Sequence, residues 1–236
     1  MLGNRLFFIL AALFAFVLLW LCLSLIKLGL SNLDAPKIPT KTKIPENIFI
    51  KGDAKKGQQI AGQVCAGCHS PDGNSLSPVN PILAGQHAEY IAKQLADFKG
   101  NKESPAKRKN PIMSAMVDPL STDDMKNLGA YYTLQKPNPG TAKDKVLAEQ
   151  GEKIYRGGNI ESGVPACAGC HSPNGVGIPP FYPRLTGQYA EYTMAQLRAF
   201  RTEQRANDVN NVMRELVARM SEKEMFAVSE FISGLQ

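Results

Sequence analysis

From Leu6 to Ile26 the chain runs uncharged between Arg5 and Lys27. As a helix this stretch is about 30 Å long, enough to cross the hydrocarbon core of a membrane. A cleavable export signal has a shorter apolar region followed by small residues, and Ser24-Leu25-Ile26-Lys27-Leu28 offers no such site. The pattern predicts a retained N-terminal transmembrane anchor over residues 1–30. Residues 31–50 lose all apolar periodicity and carry Pro36, Pro39 and Pro45 among lysines and threonines. They predict a partly extended tether with a reach of up to about 60 Å.

Beyond the tether one pattern is written twice. CAGCHSPDG at 65–73 returns as CAGCHSPNG at 167–175, displaced by 102 residues. Pro81-Ile82-Leu83-Ala84-Gly85-Gln86 returns as Pro183-Arg184-Leu185-Thr186-Gly187-Gln188 at the same displacement, as do Tyr90, Gln94, Leu95 and Phe98. The displacement is 94 before the cysteines, where Gly57 matches Gly151, and 100 at the end, where Ser121 matches Ser221. Such a duplication predicts two homologous domains, 51–137 and 142–236, with gaps confined to loops. In each, apolar positions at helical spacing predict three helices: about 54–64, 88–99 and the stretch after Ser121 in the first domain, and about 148–156, 190–201 and the stretch after Ser221 in the second. Asp124 and Glu224 stand three residues after those serines, the sequence form of an N-cap. The fold class is therefore all-α. Domains this small, with long Gly- and Pro-rich loops, need something besides side chains to fill their cores.

Composition narrows the chemistry. At 44% hydrophobic and 20% charged residues the chain is not disordered. Its charge of +6 is spread as +1 over 1–35, +2 over 36–50, +3 over 51–136 and zero over 137–236. That distribution lacks a nucleic-acid-binding surface. The densest run, Lys107-Arg108-Lys109, reads as a solvated loop or as a contact to an acidic redox partner or anionic lipid.

Four of the five cysteines form two CxxC pairs, each followed by histidine; the fifth, Cys22, lies in the apolar run. C-x-x-C-H is the attachment signature of c-type haem: two thiols add to the vinyl groups and the histidine ligates the iron. Cys65, Cys68 and His69 make one set, and Cys167, Cys170 and His171 the other. Zinc would need a fourth ligand at each site, and His87 is the one histidine left over. A thioredoxin-type motif would need a βαβ context.

A haem iron with one histidine has a free axial position. The repeat singles out Met113, seven residues before Leu120, and Met213, seven before Met220. Their soft thioethers suit electron transfer. Met116 competes in the first half, but its counterpart is Leu216. Met125 and Met225 fall inside the third helices and read as core; Met194 has no paired role. Pro81 and Pro183 are placed to offer a carbonyl to the other ring N–H of His69 and His171, the alternative being a loop-shaping proline. His87 matches Tyr189 and reads as exposed, without a haem role.

On the CAGCHSP-[DN]-G, P-x-L-x-GQ, Tyr-x4-QL and Met-x7-Ser elements, residues 51–236 resemble the dihaem cytochrome c4 family throughout. The resemblance implies two class I cytochrome c domains related by a pseudo-twofold axis, two covalent low-spin haem c groups, and Met113 and Met213 as distal ligands. It also implies electron transfer between quinol-oxidising complexes and terminal oxidases, with no small-molecule substrate. Haem c is attached on the outer side of the membrane, which puts the domains in the periplasm. Lys27, Lys37, Lys41 and Lys43 would weakly favour the opposite orientation. Two other readings stand beside the carrier: a fixed subunit that wires a respiratory complex, and a dihaem peroxidase-like enzyme with one displaceable sixth ligand.

Overall fold

The computed structural model describes residues 52–100 and 105–236, all within one compact unit, Asn47–Gln236. The anchor predicted over residues 1–30 and the tether over 31–50 lie outside the described residues. Among the described residues no helix is long and apolar enough to cross a membrane.

The described chain is helical, with three isolated β-bridges and no longer strand pairing among the described residues. The first half contains α1 (Ala54–Ile60), α2 (Ala66–His69), α3 (Ala88–Lys99), α4 (Pro111–Val117) and α5 (Thr122–Thr133). The second contains α6 (Lys145–Gly157), α7 (Ala168–His171), α8 (Ala190–Arg201), α9 (Val212–Val217) and α10 (Glu222–Gly234). The helices expected at 88–99 and 190–201 stand at those bounds. The short α2 and α7, on the CxxCH motifs, and α4 and α9, which carry Met113 and Met213, go beyond the three helices per half that periodicity suggested. Four to seven residues are too few to show a periodic face.

Local chemistry sets the helix starts. Asp53 and Asp144 cap α1 and α6 through their side chains. Ser121 and Ser221 cap α5 and α10 in reciprocal boxes with Asp124 and Glu224, as their spacing predicts. Each such cap stabilises a helix by about 1 kcal/mol.

Each half has its own core, where the last helix crosses the first and the middle one. In the first half α5 lays Met125, Leu128 and Tyr132 against Ala61, Ile91 and Phe98. In the second, α10 lays Met225, Val228 and Ile232 against Tyr155, Leu197 and Phe200. The crossings explain one repeated glycine. A Cβ on Gly57 would stand 2.0 Å from the Asn127 carbonyl oxygen, and one on Gly151 2.0 Å from that of Ala227.

The halves differ most between the first helix and the motif. In the second, α6 ends at Gly157 and a loop pinned by the Asn159–Val164 bridge leads to α7. In the first, the eight extra residues are missing and the chain stays helical from α1 into α2 through a π turn, Ala61–Cys65. The length difference is thus a loop on one side only. On the other it is absorbed by a widened helical turn, a device often found at functional sites.

Candidate haem centres

A cavity of about 650 Å³ is lined from both halves. Cys65, Cys68, His69, Pro81 and Met113 face it from the first half, and Cys167, Cys170, His171, Pro183 and Met213 from the second. All ten residues singled out in the sequence therefore converge on one void. The short helices α2 and α7 bring each histidine to the wall one turn beyond its first cysteine. Directly after them Ser70 and Ser172 adopt positive φ, 62° and 68°, which turns the chain back.

His69 and His171 are buried, at 6% and 7% exposure. Each ring places Nδ1 3.0 Å from the carbonyl oxygen of Pro81 or Pro183. With Nδ1–H donating there, Nε2 keeps its lone pair. Burial pushes both imidazoles below the usual histidine value, with the proline carbonyls opposing. Neutral, oriented imidazoles are the form a metal requires. Burial also raises the Cys65 thiol, and the Cys167 thiol to about 11. Both are protonated at neutral pH, so neither is an activated nucleophile.

Met113 is half-buried on α4, its N–H accepted by the Asn110 side chain. Met213 is half-buried on α9, entered through Asn210 and Asn211, both in the left-handed region. Met116 also reaches the cavity but is 43% exposed. Met125 and Met225 are in the cores and Met194 is buried among α8 neighbours; none of the three lines the cavity.

The polar groups around the void were not legible in the sequence. Arg108 donates to Gln94 in its own half, at 2.8 Å, and to Tyr192 and Gln196 across the boundary, at 2.8 and 2.7 Å. Arg205 donates to Gln196 in its own half and to Tyr90 and Gln94 across it, at 2.9, 2.8 and 3.2 Å. Each guanidinium also stacks on a phenylalanine of its own half, Phe98 or Phe200, 4.4 Å from the ring centre. Arg108 is only 8% exposed, which corrects the reading of 107–109 as one solvated or docking run: Lys107 and Lys109 are exposed, Arg108 is not. The available signal was the recurrence of Tyr90/Tyr192 and Gln94/Gln196, whose polar tips need partners when buried.

His87 is half-buried rather than exposed. Its Nε2 lies 2.8 Å from the Val176 carbonyl oxygen of the other half, and the matching Tyr189 hydroxyl donates to the Ser75 carbonyl. Neither residue's neighbours in sequence hint at this, because the reach is set by how the halves meet.

The void suits a large, partly anionic guest. Three buried polar atoms have no hydrogen-bond partner among the described residues, Tyr132 Oη, Arg184 Nε and Thr193 Oγ1. All three belong to cavity-lining residues. Arg108 and Arg205 carry buried charge on the same lining with no carboxylate within ion-pair distance among the described residues. Paired thiols, an oriented imidazole and a thioether in each half complete a donor set that fits two c-type haems, whose carboxylates would meet those cations.

The family model for cytochrome c matches residues 54–132 and again 148–236. Fold and matches together define a tandem pair of cytochrome c domains. The cytochrome c4 of Thiocapsa roseopersicina is 48% identical over 186 residues, covering 78% of this chain and 93% of that one. That of Azotobacter vinelandii is 48% identical over 190 residues, covering 78% and 90%. The crystal structure of reduced recombinant cytochrome c4 from Pseudomonas stutzeri superimposes with a TM-score of 0.74 at 46% identity, over 78% of this chain and all of that one. The chain belongs to the cytochrome c4 family, dihaem electron-transfer proteins that are carriers rather than enzymes. Two covalently bound haem c groups go with that membership.

Proposed function

We infer that this protein is a tethered electron carrier. In this reading residues 1–30 anchor it in the cytoplasmic membrane, 31–50 are the tether, and domains 51–137 and 142–236 face the periplasm about an approximate twofold axis. Electrons pass from a quinol-oxidising cytochrome bc complex to a terminal haem-copper oxidase. Cys65 with Cys68, and Cys167 with Cys170, would hold the two haems covalently. His69 with Met113, and His171 with Met213, would be the axial pairs. When bound, each haem supplies one-electron exchange between ferric and ferrous iron. The chain's part is to fix each imidazole through a proline carbonyl, keep water from the lining, and offset the haem carboxylates with Arg108 and Arg205.

The observation that carries this reading is the repeated set: an oriented buried imidazole, a thiol pair and a thioether from each half on one void. The test is the optical spectrum of purified ferric and ferrous protein with haem quantified and carbon monoxide added. Two covalent low-spin haems that ignore carbon monoxide are expected. A high-spin or carbon-monoxide-binding haem would remove one methionine assignment and revive the peroxidase-like reading.

Docking is expected to be small and polar, as electron-transfer encounters are. Reversing Lys107 and Lys109 together should slow transfer to an acidic partner at low salt and not at high salt. The uncharged Leu6–Ile26 run also favours a second reading, a fixed wiring subunit. Co-purification with a stoichiometric complex in mild detergent would select it; migration alone would select the carrier.

A further inference from the structure

The peptide group that orients each histidine is held on its other side by the opposite half. Pro81 O accepts from His69 Nδ1, and the N–H of that same peptide group belongs to Ile82. It donates to Gln188 Oε1 at 3.0 Å, while Gln188 Nε2 donates back to the Ile82 carbonyl oxygen at 3.0 Å. The arrangement recurs with the halves exchanged. Pro183 O accepts from His171 Nδ1; Arg184 N–H donates to Gln86 Oε1 at 2.9 Å, and Gln86 Nε2 donates to the Arg184 carbonyl oxygen at 2.9 Å. Both glutamines are buried, at 7% exposure. Two opposite partners allow each carboxamide a single orientation, and Oε1 also accepts from the next backbone N–H, of His87 or Tyr189.

A peptide group is one resonance-coupled dipole. An acceptor on its N–H makes its carbonyl a stronger acceptor in turn, and hydrogen bonds in such a chain strengthen one another. A stronger acceptor at Nδ1–H puts more electron density on Nε2, which makes the imidazole a more basic ligand. A more basic ligand favours ferric over ferrous iron. We propose that Gln188 and Gln86 are crossed tuning residues: each acts through a proline peptide bond on the histidine of the other half and lowers that haem's potential. Each haem's potential then reports on whether the two halves are docked.

The proposal rests on His69 and His171 being iron ligands, and potentiometry followed through each haem's own NMR resonances tests it. In Gln188→Leu the reduction equilibrium of the first-half haem should shift about threefold toward ferrous, about 28 mV at roughly 59 mV per tenfold. The second-half haem should stay in place. Gln86→Leu should give the mirror result. Gln188→Glu keeps an acceptor oxygen and should hold the first potential at or below its starting value, which a purely structural role would not do. Tyr189→Phe, which deletes a different cross-boundary hydrogen bond, should move neither potential.

Equal shifts at both haems, or none, in a low-spin Gln188→Leu protein would overturn the relay. Were Gln188→Leu not to assemble, Gln188→Glu decides alone: a first-half potential above the starting value overturns the proposal. A wild-type spectrum without two low-spin haems would instead overturn the ligand assignment itself, so the two failures are separable.

Discussion

The two halves hold the same turn with different side chains. In the first, the Tyr131 hydroxyl on α5 donates to the Pro71 carbonyl at 3.0 Å, just beyond the histidine. Its counterpart in the second half is Phe231, which has no hydroxyl. There Arg156 on α6 stacks over the Phe231 ring, 5.6 Å from its centre, and donates to the matching Pro173 carbonyl at 3.0 Å. The second half adds Tyr155, fully buried, whose hydroxyl donates to Ser172 O at 2.7 Å. The corresponding residue in the first half is Ala61, where the π turn begins. A diverging duplication has thus kept a side-chain contact to the matching proline carbonyl and changed which helix supplies it. The histidine ring keeps the same kind of partner in both halves, the Pro81 or Pro183 carbonyl, while the turn around it is held by different residues.

The largest test of that comparison is to alter the path into each motif. Deleting Gln63 would remove the extra residue of the π turn and rotate Cys65 by about 100° relative to α1. Loss of the first covalent haem is expected, read as one haem per chain by mass spectrometry. Deleting Glu161, in the second half's loop, should leave two.

Next come the helix crossings. Gly57→Ala and Gly151→Ala each force a methyl onto a backbone carbonyl, and a cost of about 3 kcal/mol is expected. Denaturant unfolding followed at each haem should show the loss first in the half that carries the substitution. The tyrosines come third. Tyr155→Phe removes the hydroxyl bond of a fully buried ring to the Ser172 carbonyl, which keeps its bond from the Gly175 N–H, and should cost about 1 kcal/mol. Tyr131→Phe, at a contact open to water, should cost about 0.5 kcal/mol. Equal costs would mean that exposure does not separate the two contacts.

The smallest effect is in acid. The Ser121 hydroxyl and backbone N–H hold the Asp124 carboxyl below its usual range. Glu224 is likewise held low: its partial burial pushes the other way, and bonds from Ser221 and Asn159 prevail. A carboxylate whose folded value is depressed adds stability that is complete above its unfolded value, near about 4. That stability is lost as the pH falls through the lower, folded value. Glu224→Gln should therefore weaken the second domain at neutral pH and flatten the acid limb of its melting temperature. An acid limb unchanged by the substitution would remove Glu224 from the account.

Much of the candidate site was legible because it is written contiguously. Cys-x-x-Cys-His fits on one helical turn, so Cys65 to His69 and Cys167 to His171 identified themselves, and duplication at a displacement of 102 then singled out Pro81, Pro183 and, with a shorter displacement, Met113 and Met213. The caps at Ser121 and Ser221 were readable for the same reason, since a capping box spans four residues. What failed to read was anything needing the two halves together. Arg108 looked like the middle of a charged loop, and only its stacking on Phe98 and its bonds to Tyr192 and Gln196 take it out of solvent. His87 looked like a surface residue until Val176 met it. The π turn was invisible because helical periodicity changes by a single residue there.

By itself the sequence determined the all-helical class, the tandem repeat, the two thiol–imidazole sets and the helix starts, since each depends on residues within one or two turns of one another. Tertiary structure alone decided that both sets open on one cavity, that two arginines lie buried at the boundary, and that Gln86 and Gln188 reach across to the peptide groups behind His171 and His69. Those contacts join residues about a hundred positions apart. Their partners are chosen by the docking of two finished surfaces, where a buried polar group must find whatever donor or acceptor the other half presents.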